Sequence, residues 1–74
     1  MAESLAYAVV FESGSNNWSA YVPDLPGCVA TGRDRAETEK NIRAAIELHL
    51  RGMRRDGDAI PPPSCEVGMV SVAA

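Results

Sequence analysis

YVPDLPGCVATG, residues 21–32, can be neither a helix nor an uninterrupted strand. Pro23 and Pro26 have no backbone N–H to donate, and each pushes the residue before it out of helical geometry. Gly27 then frees the backbone for a turn. The residues on either side favour strands, so the segment reads as a rigid corner between two strands.

Upstream of the corner, Trp18–Val22 forms strand two, ended by Pro23. Ser13–Asn17, SGSNN, has the composition of a hairpin loop. Before it, Leu5–Glu12, LAYAVVFE, alternates as a strand in which Leu5, Tyr7, Val9 and Phe11 share one face and Ala6, Ala8 and Val10 the other. Both faces are apolar, which predicts a central strand covered on both sides. Downstream, Cys28–Thr31 makes a short strand three, stopped by Gly32.

At Asp34 the period changes from 2 to 3.6. Its carboxylate can cap a helix, and Glu37 stands three residues on, in capping-box position. The pattern predicts a helix over residues 35–55. Thr38, Ile42, Ala45, Ile46, His49 and Met53 lie along its apolar stripe, with Leu50 on the edge. Lys40, Arg43, Glu47, Arg51 and Arg54 lie opposite. Glu39–Arg43 and Glu47–Arg51 have the favourable i,i+4 order. Arg51, Arg54 and Arg55 complement the dipole at the C-terminal end, and Asp56-Gly57 stops the helix. Pro61, Pro62 and Pro63 make a stiff connector to a last strand, Cys65–Val72.

The expected fold class is α+β, in the order β-β-β-α-β. The helix returns the chain so that strand four runs parallel to strands one and three; a right-handed crossover beside strand one gives a four-stranded sheet of order 3-2-1-4, with the helix on one face. The second face has no internal cover, whichever set of strand-one residues it carries, and Leu48 points away from the helix stripe. Uncovered apolar surface of this kind marks an interface, so the chain is expected to self-associate.

Composition narrows the function classes. Residues 1–74 make a single domain, and one this small buries only ~60% of its unfolded surface. The net charge of −3 argues against direct nucleic-acid binding and suits a basic partner protein. Cys28 and Cys65 form no disulfide framework, the N-terminus has no signal-peptide pattern, and no apolar run reaches the ~20 residues that span a bilayer. A cytoplasmic protein with reduced thiols is expected.

Catalytic patterns are lacking. His49 falls within the apolar stripe and reads as a packing residue. Glu12, Asp24, Asp34 and Glu37 are scattered, with no acid–base or metal pair in sequence. Asp24 reads as a turn former or a contact residue. Trp18 reads as a strand anchor in the core or at an interface. No serine has a nucleophile-elbow context, and no phosphate-binding glycine loop is present. Cofactors, metal sites and enzymatic activity are therefore not expected.

The chain resembles the HicB-like antitoxin family, the antitoxin half of HicA–HicB toxin–antitoxin modules. The residues that carry the resemblance are Tyr7–Glu12, Trp18–Cys28, Thr31-Gly32, Asn41, Ala45–Leu48, Asp56-Gly57, Ile60-Pro61 and Pro63-Ser64. It implies a truncated RNase H-like fold without that fold's metal-binding acids. It also implies a role: binding a small HicA-like toxin, an mRNA-cleaving protein with a catalytic histidine, and covering its active site. Longer members carry a C-terminal operator-binding domain, which this sequence lacks after strand four, so the chain is expected not to bind nucleic acid alone. The candidate contact residues are Trp18, Tyr21, Asp24, Leu25, Pro26 and Leu48, and the expected partners are a HicA-like toxin and further copies of this chain, as a dimer or tetramer. The alternative is an orphan oligomeric interaction module that has no toxin.

Overall fold

The computed structural model describes residues 5–74. Three strands, β1 (Val10–Ser13), β2 (Trp18–Tyr21) and β3 (Val29–Gly32), precede one helix, α1 (Arg35–Arg55). The strands pair antiparallel in the order β1-β2-β3. Val10 lies opposite Tyr21 and Ser13 opposite Trp18, while Tyr21 faces Val29 on the other side.

The sheet is smaller than expected. Leu5–Val9 joins no ladder, and neither does Cys65–Val72, the expected fourth strand; among the described residues the sheet has three strands. The corner explains the short β1. Val22 turns both its backbone groups inward: its N–H donates to the Cys28 carbonyl at 3.1 Å and its carbonyl accepts from the Leu25 N–H at 3.1 Å. Successive residues of a strand point their groups to opposite edges. The next donor facing β1 would therefore be Pro23, which has none. The β1–β2 ladder ends at Val10 and Tyr21 for that reason.

The corner is also the centre of the core. Leu25 is 1% exposed and is buried with Val22, Cys28, Ala20, Ile42 and Leu50. The helix packs over the sheet face that carries Phe11, Ala20 and Ala30, which sit side by side across the three strands. Tyr7 and Val9 extend the same face and are half-buried against this core. The opposite face is open and carries the row Val10, Tyr21 and Val29. On α1 the stripe buries Thr38, Ile42 and Leu50 most deeply, so Leu50 sits further in than its edge position suggested.

Both helix ends are closed locally. The Asp34 carboxylate accepts from the Glu37 N–H at 2.7 Å. Glu37 reaches back one residue further than a capping box requires, accepting the Arg33 N–H at 2.9 Å and pairing with its guanidinium. At the far end the Gly57 N–H donates to the Arg54 carbonyl and the Asp58 N–H to the Met53 carbonyl, with Gly57 at φ 76°. These two bonds make a Schellman motif, which needs a residue at positive φ. Along the helix surface Glu39 pairs with Arg35 at 2.6 Å and with Arg43 at 3.7 Å, whereas Glu47 and Arg51 do not pair with each other.

Where β3 passes α1, the buried Thr38 hydroxyl donates to the Asp34 carbonyl at 2.7 Å. A Cβ on Gly32 would stand 2.6 Å from the Thr38 nitrogen. Gly32 therefore permits the close approach of strand and helix. The Asn41 amide ties the same two elements by donating to the Thr31 carbonyl at 2.8 Å.

Candidate functional site

Two structures gather at the end of the sheet where the corner lies: a clamp and a groove. Asp24 builds the clamp. Its Oδ2 accepts the Ser64 N–H at 2.9 Å and the Cys65 N–H at 3.2 Å. Its Oδ1 accepts the Ser64 hydroxyl at 2.7 Å and the Cys65 thiol at 3.4 Å. The prolines on either side of Asp24 hold the loop that presents the carboxylate, and Pro61–Pro63 stiffens the approach of its donors. Four donors, led by the Ser64 hydroxyl and N–H, stabilise the charged form and lower the Asp24 pKa to about 2. The same contact raises the pKa of the exposed Cys65 thiol, because its proton is held by Asp24. Burial raises that of Cys28. Neither thiol is activated as a nucleophile.

Nearby, the Tyr7 hydroxyl donates to the Pro61 carbonyl at 2.6 Å, across 54 residues of sequence. Tyr7 belongs to the unpaired segment Leu5–Val9, which forms one wall of the groove. Helix α1 forms the other wall, with Ile42, Ile46 and Leu50 in the floor and Glu39, Arg43, Glu47 and Arg54 at the rim; the cavity measures about 650 Å³. Val67 is the one residue beyond the clamp that lines it. At the far end of the wall the Arg35 guanidinium lies 3.4 Å over the Phe11 ring, a cation–π contact.

The six contact candidates do not form one surface. Tyr21, Asp24 and Pro26 lie together at the corner end of the sheet, with Tyr21 and Pro26 exposed. Trp18 stands at the other end of β2 and, three residues away, on the opposite face. Leu25 is buried beneath the corner, where it packs and presents nothing outward. Leu48 is 67% exposed on α1. His49 is half-buried along the helix stripe.

Sequence reasoning missed the clamp. The sequence reads Asp24 as a turn former or a contact residue, with no intrachain partner named for it, and its partners lie 40 and 41 residues away. The available signal was a serine placed directly after three prolines, where the chain's direction is set and a polar partner is needed. Tyr7 was read by its apolar face alone, and its hydroxyl was given no partner. Among the described residues no three of His, Cys, Asp and Glu gather as a metal-binding set, and no helix is long and apolar enough to cross a membrane. Chemically the site offers apolar burial, a rigid corner and a clamped chain segment, which are means of binding.

The chain is similar in sequence and in fold to known proteins. A UPF0150 protein of Helicobacter pylori is 43% identical over 47 residues, covering 64% of this chain and 65% of the relative. An uncharacterised protein of the rep-hol intergenic region of Haemophilus phage HP1 is 32% identical over 57 residues, covering 77% of this chain and 43% of the relative. A UPF0150 protein of Thermoplasma acidophilum is 27% identical over 63 residues, covering 84% of this chain and 91% of the relative. The chain thus spans 43% and 65% of the length of two of these relatives. Among solved structures, a chain of a HicA3 and HicB3 toxin-antitoxin complex matches with a TM-score of 0.68 and 27% identity, covering 80% of this chain and 70% of that one. The family described as HicB_like antitoxin of bacterial toxin-antitoxin systems matches residues 7–72, nearly the whole chain from the Tyr7 anchor through the clamp, and the chain belongs to that family.

Proposed function

We propose that the protein is an antitoxin that binds a HicA-like, mRNA-cleaving toxin and neutralises it by covering the toxin's active site. The observation that carries this reading is the family match over residues 7–72. The likeness to a chain of a toxin–antitoxin complex supports a toxin as partner. On this reading residues 1–74 act as a single HicB-like domain in the cytoplasm. The chain catalyses nothing, needs no cofactor and does not bind nucleic acid alone. Its acidic balance, −3 overall, suits a basic RNA-binding toxin, because complementary charge speeds association.

The toxin-contact surface on this reading is built from Tyr21, Asp24 and Pro26 at the corner, with Trp18 and Leu48 as outlying contacts. Leu25 acts from beneath by holding the corner's shape. The protein also self-associates, as a dimer or tetramer, and the full fold is a truncated RNase H-like one in which a fourth strand lies against strand one, order 3-2-1-4. The apolar row Val10, Tyr21 and Val29 on the open face, with Val29 64% exposed, supports a further interface.

Co-expression with any small basic protein encoded beside this one is the test. The neighbour alone should arrest growth and cleave mRNA, and this chain should restore growth. A neighbour that is harmless, or toxic and not rescued, refutes the antitoxin reading and leaves an oligomeric interaction module without a toxin.

A further inference from the structure

Two features of the chain are unsatisfied, and they complement each other. The first is the wall Leu5–Val9, which continues β1 yet pairs with no other strand among the described residues, beside an apolar groove of about 650 Å³. An edge of this kind offers a row of free N–H and C=O groups to an incoming strand. The second is the segment after the clamp. Val67, Met69, Val70 and Val72 are 72%, 96%, 87% and 81% exposed, and they occupy both faces of the segment. A run this apolar, carrying Glu66 as its one charged side chain before Ala74, is out of place in water. The Cα radius of gyration, 14.1 Å, exceeds the roughly 11 Å of a compact chain of this length.

We propose that Glu66–Val72 of one copy adds as a strand to Leu5–Val9 of a second copy, and that the exchange is reciprocal in a two-fold dimer. This rests on the self-association proposed above and names the segment responsible. The reason for assigning the strand to a second copy is that its root is already fixed. Asp24 holds Ser64 and Cys65, Tyr7 holds Pro61, and three prolines stiffen the approach. With that root locked, the chain brings only Val67 against its own groove, and Met69 and Val70 stay in solvent. A second copy has the same open edge and the same free arm, so one two-fold axis satisfies both at once. Strand addition supplies backbone hydrogen bonds, and the groove floor takes alternate arm side chains. The fourth strand expected in the sheet is then present, donated by the partner copy. The clamp gains a purpose as well: it aims the arm.

The test uses the full chain without toxin. Sedimentation equilibrium should give twice the 7.9 kDa chain mass. In a mixture of isotope-labelled and unlabelled chains, filtered NMR spectra should show contacts from the Met69 and Val70 methyls to Leu5 and Val9 between copies. Successive N–H groups of a strand point to opposite edges, so one of Met69→Pro and Val70→Pro must remove a ladder donor. That variant should lose dimer affinity about tenfold or more, while Val70→Thr keeps the dimer. Far-UV circular dichroism checks that the helix survives. A monomer at every concentration overturns the self-association reading, and this proposal with it. A dimer whose arm contacts lie within one chain, or are absent, overturns the strand exchange alone. So do two proline variants that both remain dimeric.

Discussion

Residues 22–57 and the two segments that flank the sheet follow opposite rules. In the corner, β3 and α1, the structural needs of the chain are met from nearby sequence. Val22, Leu25 and Cys28 close the corner among themselves, Asp34 caps the helix that starts beside it, and Gly57 and Asp58 end that helix with one bond each to its last turn. Leu5–Val9 and Ser64–Ala74 meet their needs at long range or not at all. Their ties are Tyr7 to Pro61 and Asp24 to Ser64 and Cys65, and beyond these their backbone joins no ladder among the described residues. The difference separates the part that specifies the fold from the part held to it by a few long-range bonds.

The most direct way to break the contrast is to weaken the self-contained region. Leu25→Ala removes the side chain at the centre of the core, and we expect a loss of about 2–5 kcal/mol in urea unfolding. A domain of 74 residues has only about 4–11 kcal/mol in total, so this variant should be partly unfolded or close to it. An unchanged midpoint would mean that the corner is not the keystone of the fold. Gly32→Ala comes next. The added methyl meets the Thr38 backbone nitrogen at 2.6 Å, and backbone cannot swing aside as a flexible side chain can. The strand and helix must separate, at a cost of about 1–3 kcal/mol.

The same contrast explains what could be read from sequence. The hairpin, the corner and the helix follow from local chemistry: two prolines and a glycine, an aspartate before an apolar stripe, an Asp-Gly stop. Each was legible because the determinant and its effect lie within a few residues. The exception within this region is Glu37, which caps the Arg33 N–H one residue before the predicted position. The fourth strand differs: Cys65–Val72 has the composition of a strand, but composition does not supply a pairing edge, and the segment joins no ladder among the described residues. The short β1 needed knowledge of its neighbour, since Pro23, two residues past the end of β2, ends a ladder that the apolar run Leu5–Val9 would otherwise continue. For the candidate site, Asp24 was identified as important, but the 40-residue link to Ser64 could not be seen from local pattern.

A smaller effect tests whether the helix start belongs to the self-contained region. Asp34→Ala removes the acceptor of the Glu37 N–H and should cost about 1 kcal/mol. Asp34→Asn should recover most of it, since an amide oxygen can take the same bond. Thermal melts of the two variants read the difference. Equal melting temperatures would mean that Glu37 and Arg33 close the helix end without Asp34.

The smallest effect on global stability, and the sharpest on the flanking segments, is acidification. Asp24 titrates from an unfolded value of 3.8 to about 2 in the fold, because Ser64 and Cys65 donate to its charged form. A carboxylate with a depressed pKa contributes its stabilisation fully above the unfolded value and loses it as pH falls through the folded value. The clamp should therefore be intact at pH 5, weaken below about pH 4 and be open below pH 2. The carboxylate is open to solvent, so the consequence is local release of the clamped segment while the body stays folded. The Ser64 and Cys65 amide resonances should shift along this titration, while those of the corner amides Leu25 and Cys28 hold still. Asp24→Asn should abolish the titration and raise amide exchange at Ser64 and Cys65 at neutral pH. If Ser64 and Leu25 respond together, the two regions unfold as one unit, and the division between a self-contained body and an available arm fails.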